Sequence, residues 1–154
     1  MVHRYAVDVE WTGNRGGGTA SYRAYARTNT VRAPGKHDIA GSSDHTFHGD
    51  ADRWNPEELV VAALSQCHLL SYLHVCANHG VVVTGYTDAA TGEMVTTPDG
   101  GGHITRVDLH PRVELADESQ RALADELHAE AHRLCFIASS VNFPVHHEPV
   151  APGA

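Results

Sequence analysis

Apolar and polar residues alternate from the start of the chain: Tyr5, Val7, Val9 and Trp11 fall on one side of Tyr5-Ala6-Val7-Asp8-Val9-Glu10-Trp11. A period of two predicts a strand with one buried side. Thr12-Gly13-Asn14-Arg15-Gly16-Gly17-Gly18 breaks the pattern and turns the chain toward a second predicted strand over residues 20–28. Residues 32–52, rich in Gly, Ser, Asp and His, read as loop and sheet edge with a short strand-like piece near 37–40. Asn55-Pro56-Glu57-Glu58 then predicts a helix start: Asn55 caps, Pro56 suits the first helical position, and Glu58 returns a bond to the Asn55 amide. The run from Leu59 to Ala77 has no breaker before Asn78-His79-Gly80 and is apolar nearly all round, which predicts a central helix buried on most sides.

Residues 81–86 read as a strand and 97–102 as a turn. Thr105, Val107, Leu109, Val113 and Leu115 restore alternation, with Pro111 marking a bulge or an edge. A second helix is predicted over residues 117–134, with Leu123, Leu127, Ala131 and Leu134 on its apolar face, and a last strand over 141–148. The order predicts an α+β fold, a mostly antiparallel sheet with two helices, in one domain spanning residues 1–154.

Composition narrows the class. The 154 residues are 42% hydrophobic and 19% charged, as expected of one packed domain. The net charge of −8 would repel a phosphate backbone, so no nucleic-acid partner is expected. No apolar run reads as reaching the ~20 residues of a membrane span, and residues 1–11 lack a signal-peptide core. Together with three cysteines, too sparse for a disulfide scaffold, this predicts reduced thiols in a cytoplasmic protein without a membrane partner.

Cys67 lies well inside the first helix and Cys135 at the end of the second. Each alone reads as a small buried hydrophobe. Two cysteines on helices that pack together can instead meet, and β-carbons within ~4 Å permit a disulfide. Cys67 is too deep in its helix for the N-terminal dipole to help its thiolate, so a reactive Cys67 needs a cation from elsewhere; with Lys36 the only lysine, that cation is an arginine. Glu57 precedes Cys67 by ten residues, about 15 Å of helix at ~1.5 Å each, so a joint role requires a second chain. Metal is the rival reading: His128, His132 and Cys135 share a helical face and are zinc-ligand types, whereas the bland reading puts those histidines on a solvent face. The pair His146-His147 alternates across a strand and does not chelate together. Cys76 reads as packing, and the two Gly triplets as turns.

Asn55-Pro56-Glu57-Glu58-Leu59, leading through Ala62-Ala63 to Cys67, with Cys135 ending the second helix, resembles the OsmC/Ohr family. The stretch Cys135-Phe136-Ile137-Ala138-Ser139-Ser140 is similar to one OsmC-like branch distinct from the best-known OsmC and Ohr branches. The resemblance implies an intertwined homodimer with the two long helices at its centre. It also implies a thiol-dependent peroxidase acting on organic hydroperoxides without metal or flavin, regenerated by an external dithiol reductant. Carried over, Cys67 matches the peroxidatic cysteine, Cys135 the resolving cysteine, and Glu57 the acid that holds a catalytic arginine across the dimer. Thr12-Gly13-Asn14-Arg15 fits the pattern that supplies the arginine, which makes it Arg15, with Arg53 and Arg23 behind it. The chain departs from the family pattern at His68 and Phe136, each directly after a cysteine. The alternative of another class is an OsmC-like dimer that binds a small ligand or metal without significant peroxidase activity.

Overall fold

The reciprocal cap expected at the first helix is present in the computed structural model, which describes residues 1–151. The Glu58 amide donates to Asn55 Oδ1 at 2.8 Å and the Asn55 amide to Glu58 Oε2 at 3.2 Å, so two N–H groups that the helix leaves free find partners. Helix α1 runs Pro56–Asn78. The described residues divide into two compact units, one of residues 1–59 and one beginning at Val60.

In the first unit, β1 (Asp8–Trp11), β2 (Asn29–Arg32) and β3 (Ile39–Gly41) form an antiparallel sheet in the order β1-β2-β3. The second strand thus lies beyond the expected 20–28, because the turn after β1 is longer than a hairpin. Asn14 Oδ1 accepts from the Gly16 and Gly18 amides at 2.9 and 3.1 Å, and the Ala26 amide donates to the Gly13 carbonyl at 2.9 Å. Gly13 is required there: a β-carbon would collide with the Ala26 carbonyl. The face of Tyr5, Val7, Val9 and Trp11, expected to be buried, is exposed throughout, so the alternation identifies the strand but not what covers it within this chain.

The second unit holds the antiparallel pair of β4 (Val83–Asp88) with β7 (Pro111–Leu115). It also holds a three-stranded sheet in the order β5-β6-β8, from Thr91–Thr96, Gly102–Leu109 and Val145–His147. β5 has no alternating apolar face, being exposed along its whole length, and the sequence pattern did not reveal it. Pro111 does interrupt the expected strand: β6 ends at Leu109 and β7 starts at Pro111, in different sheets. β6 pairs with β8 in parallel, whereas β1–β2, β2–β3, β4–β7 and β5–β6 pair antiparallel. A single 3-10 turn at Glu118–Gln120 leads into α2, Arg121–Leu134.

Two apolar clusters build this unit. One joins Tyr72, Val75 and Cys76 of α1 to Ala124, Leu127 and Ala131 of α2 and to Val81 and Val113. The other centres on Leu64, Val107 and Leu109. The face of α2 therefore runs through Ala124, Leu127, His128 and Ala131, rotated from the expected one: Leu123 and Leu134 are exposed. Gly92 on β5 lets α1 approach closely, since a β-carbon there would stand 2.7 Å from Val61 Cγ2.

Helix α1 departs from its expected burial. Only Leu64, His68, Tyr72, Val75 and Cys76 are buried. The helix is also long and apolar enough, by length and composition, to cross a membrane, contrary to the expectation that no run approaches that length; just 28% of its most apolar window is buried. Ser65 fixes its position on the sheet, donating to Asp88 Oδ2 at 2.6 Å while Asp88 Oδ1 accepts from the His110 amide at 2.7 Å.

Candidate active site

Cys67 projects from the middle of α1, half-buried, and Cys135 caps α2, where its amide donates to the His132 carbonyl at 3.1 Å. The two thiols, both free, lie near enough for Cys67 to act on the titration of Cys135. Burial first, then the hydrogen bond with Cys67, pushes the Cys135 thiol up to about 11, partly opposed by the Ala138 amide, which donates to Cys135 Sγ at 3.4 Å. Cys135 is therefore held as a thiol at neutral pH. Cys76 lies buried in the α1–α2 cluster, its thiol also pushed up by burial, in keeping with a packing role.

The other site residues named from sequence lie in the first unit. Arg15 is exposed in the loop that Asn14 braces, and Glu57 is half-buried in the first turn of α1. Arg23 is exposed, and Arg53 is half-buried at 4.0 Å from Asp50.

Beside the thiols stands a feature the sequence reading missed. His68 and His128 are both buried, with His68 Nε2 3.0 Å from His128 Nδ1. Their rings are nearly parallel, 6° apart, with centroids separated by 5.3 Å, so the imidazoles lie edge to edge and share one proton. Tyr72 stacks on the face of His128 at 3.9 Å, and its hydroxyl donates to the Ala124 carbonyl at 3.0 Å. The rings of His132 and His147 lie 6.4 and 5.5 Å from that of His68. Burial, then the neighbouring imidazoles His147 and His132, lowers His68 to about 4; burial, then His68 and His147, lowers His128 to about 3. Both are neutral at pH 7. His68 Nδ1, His128 Nε2, His132 Nδ1 and His147 Nδ1 have no hydrogen-bond partner among the described residues, a cost of ~1–3 kcal/mol for each such buried group.

This arrangement fits neither reading of the α2 histidines. His128 is not on a solvent face, and His147, set aside with His146, joins the cluster while His146 stays exposed. Nor do His128, His132 and Cys135 assemble as ligands: His128 turns to His68, and among the described residues no group of three or more His, Cys, Asp or Glu is arranged to hold a metal ion. The signal available in the sequence was spacing: His68 and Tyr72 are four apart on α1, as are Ala124 and His128 on α2.

The family model for OsmC-like protein matches residues 49–149. An OsmC-like protein of unknown function from Vibrio cholerae is 30% identical over 97% of this chain and 100% of that one, with a TM-score of 0.85. Two more distant structures share the fold. An organic hydroperoxide resistance protein OsmC from Legionella pneumophila is 18% identical over 97% and 100% of the two chains, with a TM-score of 0.71. The organic hydroperoxide resistance protein OhrB of Bacillus subtilis is 20% identical over 95% and 98%, with a TM-score of 0.66. No curated protein matches the sequence. The cysteine-bearing helices, the mixed sheets and the family match over residues 49–149 lead to one conclusion: this chain belongs to the OsmC-like family.

Proposed function

We propose that this protein is a cysteine-based peroxidase that reduces organic hydroperoxides to alcohols. The observation that carries the reading is the nearness of two free thiols, Cys67 in the middle of one helix and Cys135 at the end of another. The Cys67 thiolate attacks the distal peroxide oxygen; the O–O bond breaks, the alcohol leaves with a proton, and Cys67 becomes a sulfenic acid. Cys135 then attacks that sulfur, forming the disulfide and releasing water that carries the Cys135 proton. An external dithiol reduces the disulfide. Arg15 is the cation assigned to the Cys67 thiolate and the peroxide, and Glu57 the acid that orients it from the other chain.

The reading includes a homodimer, supported by the apolar surface that α1 leaves uncovered, Leu70 and Leu73 among it. A reducing compartment such as the cytoplasm would keep the thiols available. That relatives are named organic hydroperoxide resistance proteins supports the choice of substrate class.

The test is mass spectrometry with peptide mapping after one equivalent of cumene hydroperoxide, alongside turnover with a dithiol. The wild-type protein is expected to form the Cys67–Cys135 disulfide. Cys67→Ser loses turnover by at least a thousandfold, and Cys135→Ser consumes one equivalent and stalls. Multiple turnovers by Cys67→Ser, or thiols left unreacted in the wild type, would overturn the reading in favour of a binding protein.

A further inference from the structure

We propose that the His68–His128 pair is the positioning element of the two thiols, setting the roll of α1 against α2 that keeps Cys67 and Cys135 within bonding reach; its consequence for turnover rests on the peroxidase reading. Each helix carries one member of each pair: His68 directly follows Cys67 on α1, and His128 lies seven residues before Cys135 on α2. A disulfide forms only over a narrow range of β-carbon separations, about 3.5–4.5 Å. With side chains a helix is ~10–12 Å across, so a roll of ~20° displaces an outer atom by about 2 Å and takes a thiol out of that range. Apolar packing between Tyr72, Leu127 and Ala131 holds the helices together, and the Tyr72 hydroxyl bond to the Ala124 carbonyl fixes their roll at one point; the imidazole pair fixes it at a second, on the residue next to Cys67.

The imidazole bond resists it, because a hydrogen bond weakens steeply once its donor angle falls below ~120°. The bond is 3.0 Å long between edge-to-edge rings, in a site closed to water, and Tyr72 holds the His128 ring from its face. Apolar side chains of similar size would fill the same space without leaving His68 Nδ1 and His128 Nε2 unpaired. Two polar rings retained there despite that cost serve direction beside the thiols, which apolar side chains in their place would not supply.

The test uses the full-length protein with His68→Leu, His128→Leu, His68→Gln and His128→Asn, each shown to be folded by circular dichroism. Gln retains a polar atom near the Nε2 position and Asn one near Nδ1. Equilibration with reduced and oxidised glutathione measures the effective concentration of the Cys67–Cys135 pair: two thiols become one disulfide as one oxidised glutathione becomes two reduced. The Leu variants are expected to lower it at least tenfold, and the Gln and Asn variants to recover most of the loss. With tert-butyl hydroperoxide, the Leu variants oxidise Cys67 within twofold of the wild-type rate but resolve the sulfenic acid at least tenfold more slowly. If a Leu variant does not fold, His128→Phe, which keeps a ring against Tyr72 without its nitrogens, carries the comparison. An unchanged effective concentration in a folded variant overturns the proposal. A lowered one in a protein whose wild type ignores peroxide upholds the positioning role and sinks the peroxidase reading instead.

Discussion

The two helices meet the problem of burial in opposite ways. α2 is amphipathic, and its buried face of Ala124, Leu127, His128 and Ala131 is covered by its own chain. α1 is apolar nearly all round, yet its own chain covers only the stripe of Leu64, His68, Tyr72, Val75 and Cys76. Apolarity reports how much surface must leave water and is silent on which chain removes it. In the proposed homodimer the second copy supplies the cover for α1, and α2 needs none.

The largest effect should come from charging the two helices at equally exposed leucines. Leu73 on α1 and Leu123 on α2 are each 38% exposed, so exposure alone predicts the same outcome for both. Paired replacements Leu70→Glu and Leu73→Glu are expected to weaken self-association on the order of a thousandfold, since each removes apolar contact worth roughly 2 kcal/mol and buries a charge. Leu123→Glu with Leu134→Glu should leave it within about threefold. Sedimentation equilibrium reads both, and a dimer that survives the α1 pair would end the contrast between the helices.

A second experiment addresses what joins the helices. His68 and His128 are neutral in the folded protein, lowered to about 4 and about 3, whereas in the unfolded chain they titrate near the ordinary 6.5. Below pH 6.5 the unfolded state therefore binds more protons, and stability falls with falling pH until the folded groups also protonate. The neighbouring imidazoles, and for His128 also Arg121, oppose that protonation further. Urea unfolding should lose on the order of 3–4 kcal/mol between pH 6.5 and 5. In the double variant His68→Leu, His128→Leu most of that slope should vanish. A slope unchanged in the variant would place the pH dependence in other groups.

What was legible in the sequence follows the same division. The α1 cap, its end near Asn78, the α+β order and the placing of one cysteine within α1 and another at the end of α2 are local or periodic signals, and the chain displays them openly. β5 was not legible, because an exposed strand has no apolar alternation to read. The parallel pairing of β6 with β8 depends on a long-range register that no local pattern encodes. The histidine cluster failed for another reason: a histidine is compatible with surface, core or ligand roles, and only the meeting of α1 with α2 decides among them. The apolar face of β1 was legible as a face, but the described residues leave it exposed.

The smallest effect concerns how each helix begins. α1 starts with a reciprocal side-chain cap, and Asn55 is only 8% exposed. α2 starts from a 3-10 turn, and Gln120 before it makes no side-chain capping bond; Asp117 caps the turn instead, accepting from the Ser119 amide at 2.9 Å. Asn55→Ala removes the acceptor for the Glu58 amide in a place water reaches poorly, so it should cost ~1 kcal/mol, or about 2–4 °C in Tm for a chain of this size. Asn55→Gly should cost only a few tenths of a kcal/mol, because glycine is itself a favoured residue at the N-cap. Gln120→Ala should fall within ~0.5 kcal/mol of the wild type, since the Gln120 side chain caps nothing and makes only a long, exposed bond to the Gly80 carbonyl at 3.4 Å. Equal losses at Asn55 and Gln120 would mean that the two helices are started alike, and that their difference lies only along their faces.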